Sequence, residues 1–329
     1  MAAAESAMTH ILVPLDGSPL AETILPFVEE LAQRARGRLT LLYVTPVHQG
    51  VLPHLDNPGM DQMVSRDSRL AESYLSDQRR RLVAAGVDAS IAVASGDPAS
   101  EINRHAERTG VDLIALSTHG RSGVQAWVHG SVAEEMLHTT HTPLLLVRPA
   151  DRWTATPHRI ERVIVPLDGS WEAETALAVA ELFAGAGRLP LVLMQCVEPL
   201  SLGFVADPSG IPFIGAQPIL AAMVQEARDY LEGVAGRLRA RGMTVSTEVS
   251  VGAAAPGIAD YARCSPGSIV MLASHTRAGW RRALLGSVAR RLARTVPTPV
   301  VVCPLPRAAA RPAAADGARA SDAAAAPPA

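Results

Sequence analysis

The chain reads as α/β, built from two tandem open doubly wound parallel sheets of five strands, each with helices on both faces. Three observations predict this. The hexapeptide "VPLDGS" stands at Val13–Ser18 and returns at Val165–Ser170. Around it the whole chain repeats: "GSPLAETILPFVEELA" matches "GSWEAETALAVAELFA", "SGDPASEI" (95–102) matches "VGAAAPGI" (251–258), and "HGSVAEEML" (129–137) matches "LGSVARRLA" (285–293). Within each copy, short and nearly continuous aliphatic runs alternate with amphipathic stretches, the pattern of strands buried on both faces by crossover helices. A length of 329 residues leaves each copy enough chain for its own core. The offset between copies grows from 152 to 156 residues, so the second copy has gained four, as expected of loops.

In the first copy, "HILVPL" is a buried strand. Ser18 and Pro19 then supply an N-cap and a first helical position for a helix running to about Arg36. "RLTLLYV" is the second strand, and its Val44 is matched with Val197 of "LMQCVEP" in the second copy. A long polar-amphipathic helix covers about 61–85. Strand "ASIAVA", a helix near 98–109, strand "VDLIALS", a short helix from Ser131 and strand "PLLLV" complete the unit. Right-handed crossovers restrict such an order to an open doubly wound sheet.

Residues 1–7 read as a ragged N-terminus, 8–149 and 160–306 as the two domains, 150–159 as a linker, and the Ala/Pro/Arg-rich 307–329 as a disordered tail. Composition excludes several functions. No run of 18 apolar residues is present, which argues against a membrane span. The formal charge of −2 offers no general nucleic-acid footprint. All basic residues are Arg, so P-loop and Schiff-base lysine chemistry are absent. The three Cys (Cys196, Cys264, Cys303) have no CxxC spacing, which fits a reducing cytoplasm better than a disulfide or zinc framework.

Ligands of an open parallel sheet sit beyond the carboxyl ends of its strands, at the switch point. Asp16 and Asp168 lie there, just past a strand and just before a helix. Each carboxylate can accept a hydrogen bond from an exocyclic amine or a ribose hydroxyl, although Asp-Gly-Ser is also ordinary turn chemistry. A second element is "STHGRSGVQAWVHGSVAEEM", in which Gly120 is followed by nine residues and then Gly130-Ser131 at a helix start. Free N–H groups there favour an anion such as phosphate. A capping box of Ser131 with Glu134 is the blander account of the same residues.

"VPLDGS" near a domain start, with a later Gly-9x-Gly-Ser before the last helix and strand, resembles the universal stress protein family over both copies. The resemblance implies a sheet order of 3-2-1-4-5 and, in one subgroup, bound ATP with Mg²⁺. By position, Asp16 and Val44 would meet the adenosine, with Pro14 and Leu15 lining the pocket. Gly120, Arg121, Gly130, Ser131 and Val132 would hold ribose and phosphates. Ser117 stands where the subgroup has its first motif glycine. In the second copy the matching residues are Pro166, Leu167, Asp168, Val197, Gly286, Ser287 and Val288, with Ala273 and Thr276 in place of the two loop glycines. Thr276 makes weaker nucleotide binding by the second copy the expectation, while Arg277, Arg281, Arg282, Arg290 and Arg291 keep an anion site in view.

The resemblance further implies pairing of the two copies through their last strands, "PLLLV" (143–147) and "PVVVC" (299–303), as an intramolecular pseudo-dimer. A homodimer of full chains and a regulatory protein partner are further expectations. The alternative is a nucleotide-free dimerisation and docking module. No GxSxG or HExxH motif supports dedicated catalysis, so any ATP turnover would be slow and metal-assisted. His119 and His275 receive no catalytic role. His138 and His141 read as a solvated helix end, Trp127 and Trp280 as packing, and Arg79–Arg81 as a solvated face. The long apolar connection 198–218 reads as a lid or an interchain contact.

Overall fold

The computed structural model describes residues 9–45, 58–118, 131–148, 159–199, 216–274, 286–296 and 298–305. The linker up to residue 158, the tail and the connection 200–215 lie outside them. In the first half the strands are β1 (His10–Pro14), β2 (Arg38–Thr45), β3 (Asp88–Ser95), β4 (Leu113–Ser117) and β5 (Leu144–Val147). The helices are α1 (Leu25–Ala35), α2 (Pro58–Ala84), α3 (Pro98–Thr109) and α4 (Ser131–Thr139). The second half repeats the order with β6 (Arg162–Pro166), β7 (Leu191–Val197), β8 (Val245–Val251), β9 (Ser268–Ser274) and β10 (Val300–Pro304). Its helices are α5 (Trp171–Gly187), α6 (Ala216–Arg239), α7 (Ala254–Cys264) and α8 (Ser287–Thr295).

Each half has the expected 3-2-1-4-5 order, all parallel, and the halves join into one sheet: β3-β2-β1-β4-β5-β10-β9-β6-β7-β8. The join is antiparallel, with Leu146 opposite Val300, Leu145 opposite Val301 and Leu144 opposite Val302. Aliphatic residues fill both faces of the central strands because each face is covered. Ile11, Val13, Leu145 and Val301 pack under α1, α2, α5 and α6, while Leu12, Leu144 and Val300 pack under α3, α4, α7 and α8. Each core cluster runs without a break through both halves.

The helix after β1 departs from expectation. It opens as a 3-10 turn, Ala21–Ile24, and becomes α-helical only at Leu25. Pro26 is the cause: its nitrogen carries no hydrogen to bond back into the preceding turn, so the α ladder must restart there. The second half has Ala178 at this place, and α5 runs unbroken from Trp171. Ser18 still caps, its Oγ accepting from Ala21 N at 3.1 Å, and Ser170 does the same for Ala173 N at 3.2 Å. Arg36 and Arg188 end α1 and α5 in the left-handed region, both at φ 51°.

A second tie crosses between the halves. The Glu30 carboxylate accepts the Ile160 backbone N–H at 2.8 and 3.1 Å and pairs with Arg34 at 2.9 Å. Ile160, 1% exposed, leads directly into β6. The equivalent position in α5 is Leu182, so this contact has no counterpart and belongs to the connection alone.

At the other end of β1, His10 is buried between strands. Its Nδ1 lies 3.2 Å from Arg38 Nη2, which can only donate; Nε2 therefore carries the proton and donates to Thr40 Oγ1 at 2.8 Å. Burial first, and then the Arg38 charge, lower the His10 pKa below its ordinary value, and burial does the same for His105. The unfolded chain takes up these protons near pH 6.5 while the folded chain still resists them. Stability should therefore be full above that pH and fall as acid is added below it. Urea midpoints at pH 7.5 and 5.5 should drop for the wild type, and by less for His10→Gln; an identical drop in both would remove His10 from the account.

No helix among the described residues is long and apolar enough to cross a membrane, and Cys196, Cys264 and Cys303 are free thiols.

Candidate functional site

The carboxyl ends of β1 and β6 each lead into the Asp-Gly-Ser turn. Asp16 and Asp168 are exposed there. Oδ1 of Asp16 accepts from Ser18 N at 2.9 Å, and Oδ1 of Asp168 accepts from Ser170 N at 3.0 Å and from the Ser170 hydroxyl. These bonds fix each carboxylate against its own turn. The turns require glycine at their centre: Gly17 and Gly169 sit at φ +79° and +82°, a region costly for other residues.

Leu15 and Leu167 are 4% exposed, their side chains committed to the core, and their N–H groups bond Leu42 O and Met194 O, both at 2.8 Å. Pro14 and Pro166 close their strands, half-buried. Val44 packs against the core under α3 and α4. The register shows that its structural counterpart is Cys196, not Val197. Pro14 pairs Leu42 as Pro166 pairs Met194, and Thr45 O accepts from Gly96 N as Val197 O accepts from Gly252 N. Cys196 packs on the same core face as Val44, with its Sγ 3.7 Å from Ala254 O. Burial and the nearby Glu198 charge push the Cys196 thiol pKa up to about 11, so it stays a thiol at neutral pH.

Ser117 ends β4, and its hydroxyl lies 2.8 Å from Thr23 Oγ1, tying the 3-10 turn to the strand end. Its counterpart Ala273 has no hydroxyl, so among the described residues Thr175 keeps only the bond to Glu172 O that Thr23 likewise makes to Leu20 O. Gly286 caps α8 with no side-chain bond, so its first amides are not taken by a capping side chain. Ser287 opens that helix and Val288 packs partly against the core, as Val132 does in α4. Ser131 opens α4. Gly120, Arg121 and Gly130 lie outside the described residues, as do His119, Trp127, His275, Thr276, Arg277, Trp280, Arg281 and Arg282. His138 and His141 are exposed at the end of α4, and no group of three or more metal-ligating side chains occurs among the described residues.

Sequence reasoning passed over a carboxylate–tyrosine pair beside each turn. Tyr74 donates to Glu22 Oε1 at 3.0 Å, as does Gln78 Nε2, and Tyr230 donates to Glu174 Oε1 at 2.9 Å. Arg237 completes the second pair at 2.8 Å from Glu174 Oε2. Burial, then the adjoining carboxylate and more weakly Asp16 or Asp168, raise both tyrosine pKa values, so the phenols stay protonated donors. The signal was present in the repeat, since Glu22 and Tyr74 recur as Glu174 and Tyr230.

The second residue missed is Tyr43. Its ring meets that of Tyr74 edge-on, with centroids 6.2 Å apart, and its Cε2 lies 3.8 Å from where a Gly17 Cβ would stand. The first turn is thus walled by an aromatic ring. In the second half the equivalent residue is Gln195, and a Cβ on Gly169 would meet nothing within 4 Å among the described residues.

Three kinds of comparison agree with this architecture. The model of the universal stress protein family matches residues 8–148 and again 159–304. The universal stress protein YxiE of Bacillus subtilis is 28% identical over 145 residues, 42% of this chain and 97% of that protein. A universal stress protein of Mycobacterium bovis is 24% identical over 330 residues, covering 94% of this chain and 99% of its own. Among solved structures, a universal stress protein from Archaeoglobus fulgidus superposes with a TM-score of 0.65 at 21% identity, over 90% of this chain and 98% of that one. Family matches on both halves, on a fold with the same internal order twice, establish that this chain belongs to the universal stress protein family.

Proposed function

We propose that the protein is an ATP-binding sensor or regulator of a stress response, with nucleotide held chiefly by the first half. The observation that carries this reading is the Asp16 carboxylate. It is exposed at the switch point of the sheet and is fixed through Oδ1 by Ser18 N, which leaves Oδ2 to accept from a ligand. Val44 and Pro14 flank it at the strand ends, and Leu15 holds the floor of the site from within the core. Ser117, Gly120, Arg121, Gly130, Ser131 and Val132 would form the ribose and phosphate side, where helix-terminal amides favour negative charge. Mg²⁺ would enter with the phosphates.

In the second half Pro166, Leu167, Asp168, Gly286, Ser287 and Val288 repeat this set, with Cys196 and Val197 at the end of β7. Thr276 stands in place of Gly120, and a β-branched residue disfavours the close backbone approach that a phosphate loop needs. Arg290 and Arg291 add charge near α8 but cannot restore that geometry. The second site is therefore the weaker one.

Calorimetry with ATP and Mg²⁺ tests both statements. Asp16→Ala should lose the tighter binding event, at a cost of about 1–3 kcal/mol for a hydrogen bond to a charged group. Asp168→Ala should leave that event intact. Equal affinity in wild type and Asp16→Ala sinks the assignment of Asp16. Two equivalents of like affinity, one lost in each variant, would show that the sites are equal.

A further inference from the structure

We infer that Gln195 is a base-reading residue of the second site, an amide positioned to recognise the exocyclic amine of an adenine nucleotide. This rests on the nucleotide reading above and deepens it for the second half alone.

Gln195 stands third from the end of β7, on the face that Leu191 and Leu193 place under α5 and α6. Across the sheet it sits opposite Val249 of β8, which packs on the same core. On its other side the chain is at Leu167, one residue before Asp168, because Leu167 N bonds Met194 O. Gln195 is thus level in the sheet with the residue that leads into the Asp-Gly-Ser turn. In the first half the same position carries Tyr43, and its ring reaches the turn at Gly17. Glutamine is shorter than tyrosine, and the space over Gly169 is open among the described residues.

The polarity is as telling as the space. Gln195 Oε1 is buried and has no hydrogen-bond partner among the described residues. A buried amide oxygen left unpaired is costly, and such a group in a native fold calls for an explanation. Apolar residues of similar shape would serve that core better, as Leu193 and Leu191 do two and four residues earlier. A primary amide presents an acceptor and a donor side by side, which matches the amine and adjoining ring nitrogen of adenine. Asp168, bonded through Oδ1 to its own turn, follows directly on Leu167, which is level with Gln195. The two halves would then hold a base differently: the first against an aromatic wall, the second by an amide.

The test uses the full chain carrying Asp16→Ala, so that the second site is read by itself, and compares ATP with inosine triphosphate, in which the amine is replaced by a carbonyl. That protein should prefer ATP about tenfold or more. Adding Gln195→Met, which keeps the shape and removes the amide, should bring the ratio close to one, while the urea midpoint stays level or rises. An unchanged ratio after Gln195→Met, or no preference before it, overturns the inference. If the wild type binds one equivalent of ATP and the Asp16→Ala protein none, the inference falls while the proposed function stands. A wild type that binds no nucleotide overturns both.

Discussion

Leu145→Pro should abolish the native fold, not only of the half that contains it. Leu145 is fully buried at the centre of the sheet, paired with Ala115 on one side and Val301 on the other. Proline removes a ladder N–H from a strand with neighbours on both edges. It also leaves a smaller side chain in a closed core, which by itself costs about 2–5 kcal/mol. Together these approach the whole stability of an ordinary domain, about 5–15 kcal/mol. The milder Leu145→Ala keeps the N–H and should remain soluble. Because the core cluster is continuous across the join, its loss should be felt on the partner strand. Hydrogen exchange at Val300–Val302 should quicken in Leu145→Ala; unchanged protection there would mean that the halves are energetically separate.

Gly267→Val should be the next most damaging change. Gly267 lies just before β9 at φ +73°, where L-residues pay about 1–2 kcal/mol and β-branched ones more. An added Cβ would stand 2.8 Å from Glu161 Cγ and 2.9 Å from the Arg159 carbonyl oxygen, and the second of these is backbone. That backbone cannot move freely, since Gly267 O accepts from Glu161 N at 2.7 Å and Ile160 N is held by Glu30. Overpacking of this kind adds about 1–3 kcal/mol, for a total of about 3 kcal/mol. Urea unfolding measures it. A loss below about 1 kcal/mol would show that the segment 159–161 yields, and that the Glu30 contact does not fix it.

Much of this was legible in the letters. The aliphatic runs with helical spacers carried the open doubly wound parallel sheet, while its order 3-2-1-4-5 came from the resemblance to the universal stress protein family, since the same pattern admits other orders. The interruption at Pro26 was also written in the sequence, but helical periodicity outweighed a single missing hydrogen until the strand and turn were seen together. The pairing of Val44 with Val197 went astray for a different reason. Matching like letters placed one of the four extra residues before the end of β7. The register instead keeps the 152-residue offset through Thr45 and Val197 and reaches 156 by Tyr74 and Tyr230. All four therefore fall in the connection between β7 and the body of α6. Gln195 could not be recognised at all from letters, since its meaning depends on which face of β7 it occupies and on what fails to meet it there. Glu30 was silent likewise: one acidic residue on an exposed-looking helix says nothing of a backbone amide 130 positions away.

The antiparallel join of β5 with β10 has a consequence for how the molecule meets its surroundings. It points the carboxyl ends of β1–β5 one way and those of β6–β10 the other. Asp16 and Asp168 therefore stand at strand ends that face away from each other across the join, not side by side along one rim of the sheet. A partner touching both turns would have to reach past both ends of the strands and could not lie along one rim of the sheet.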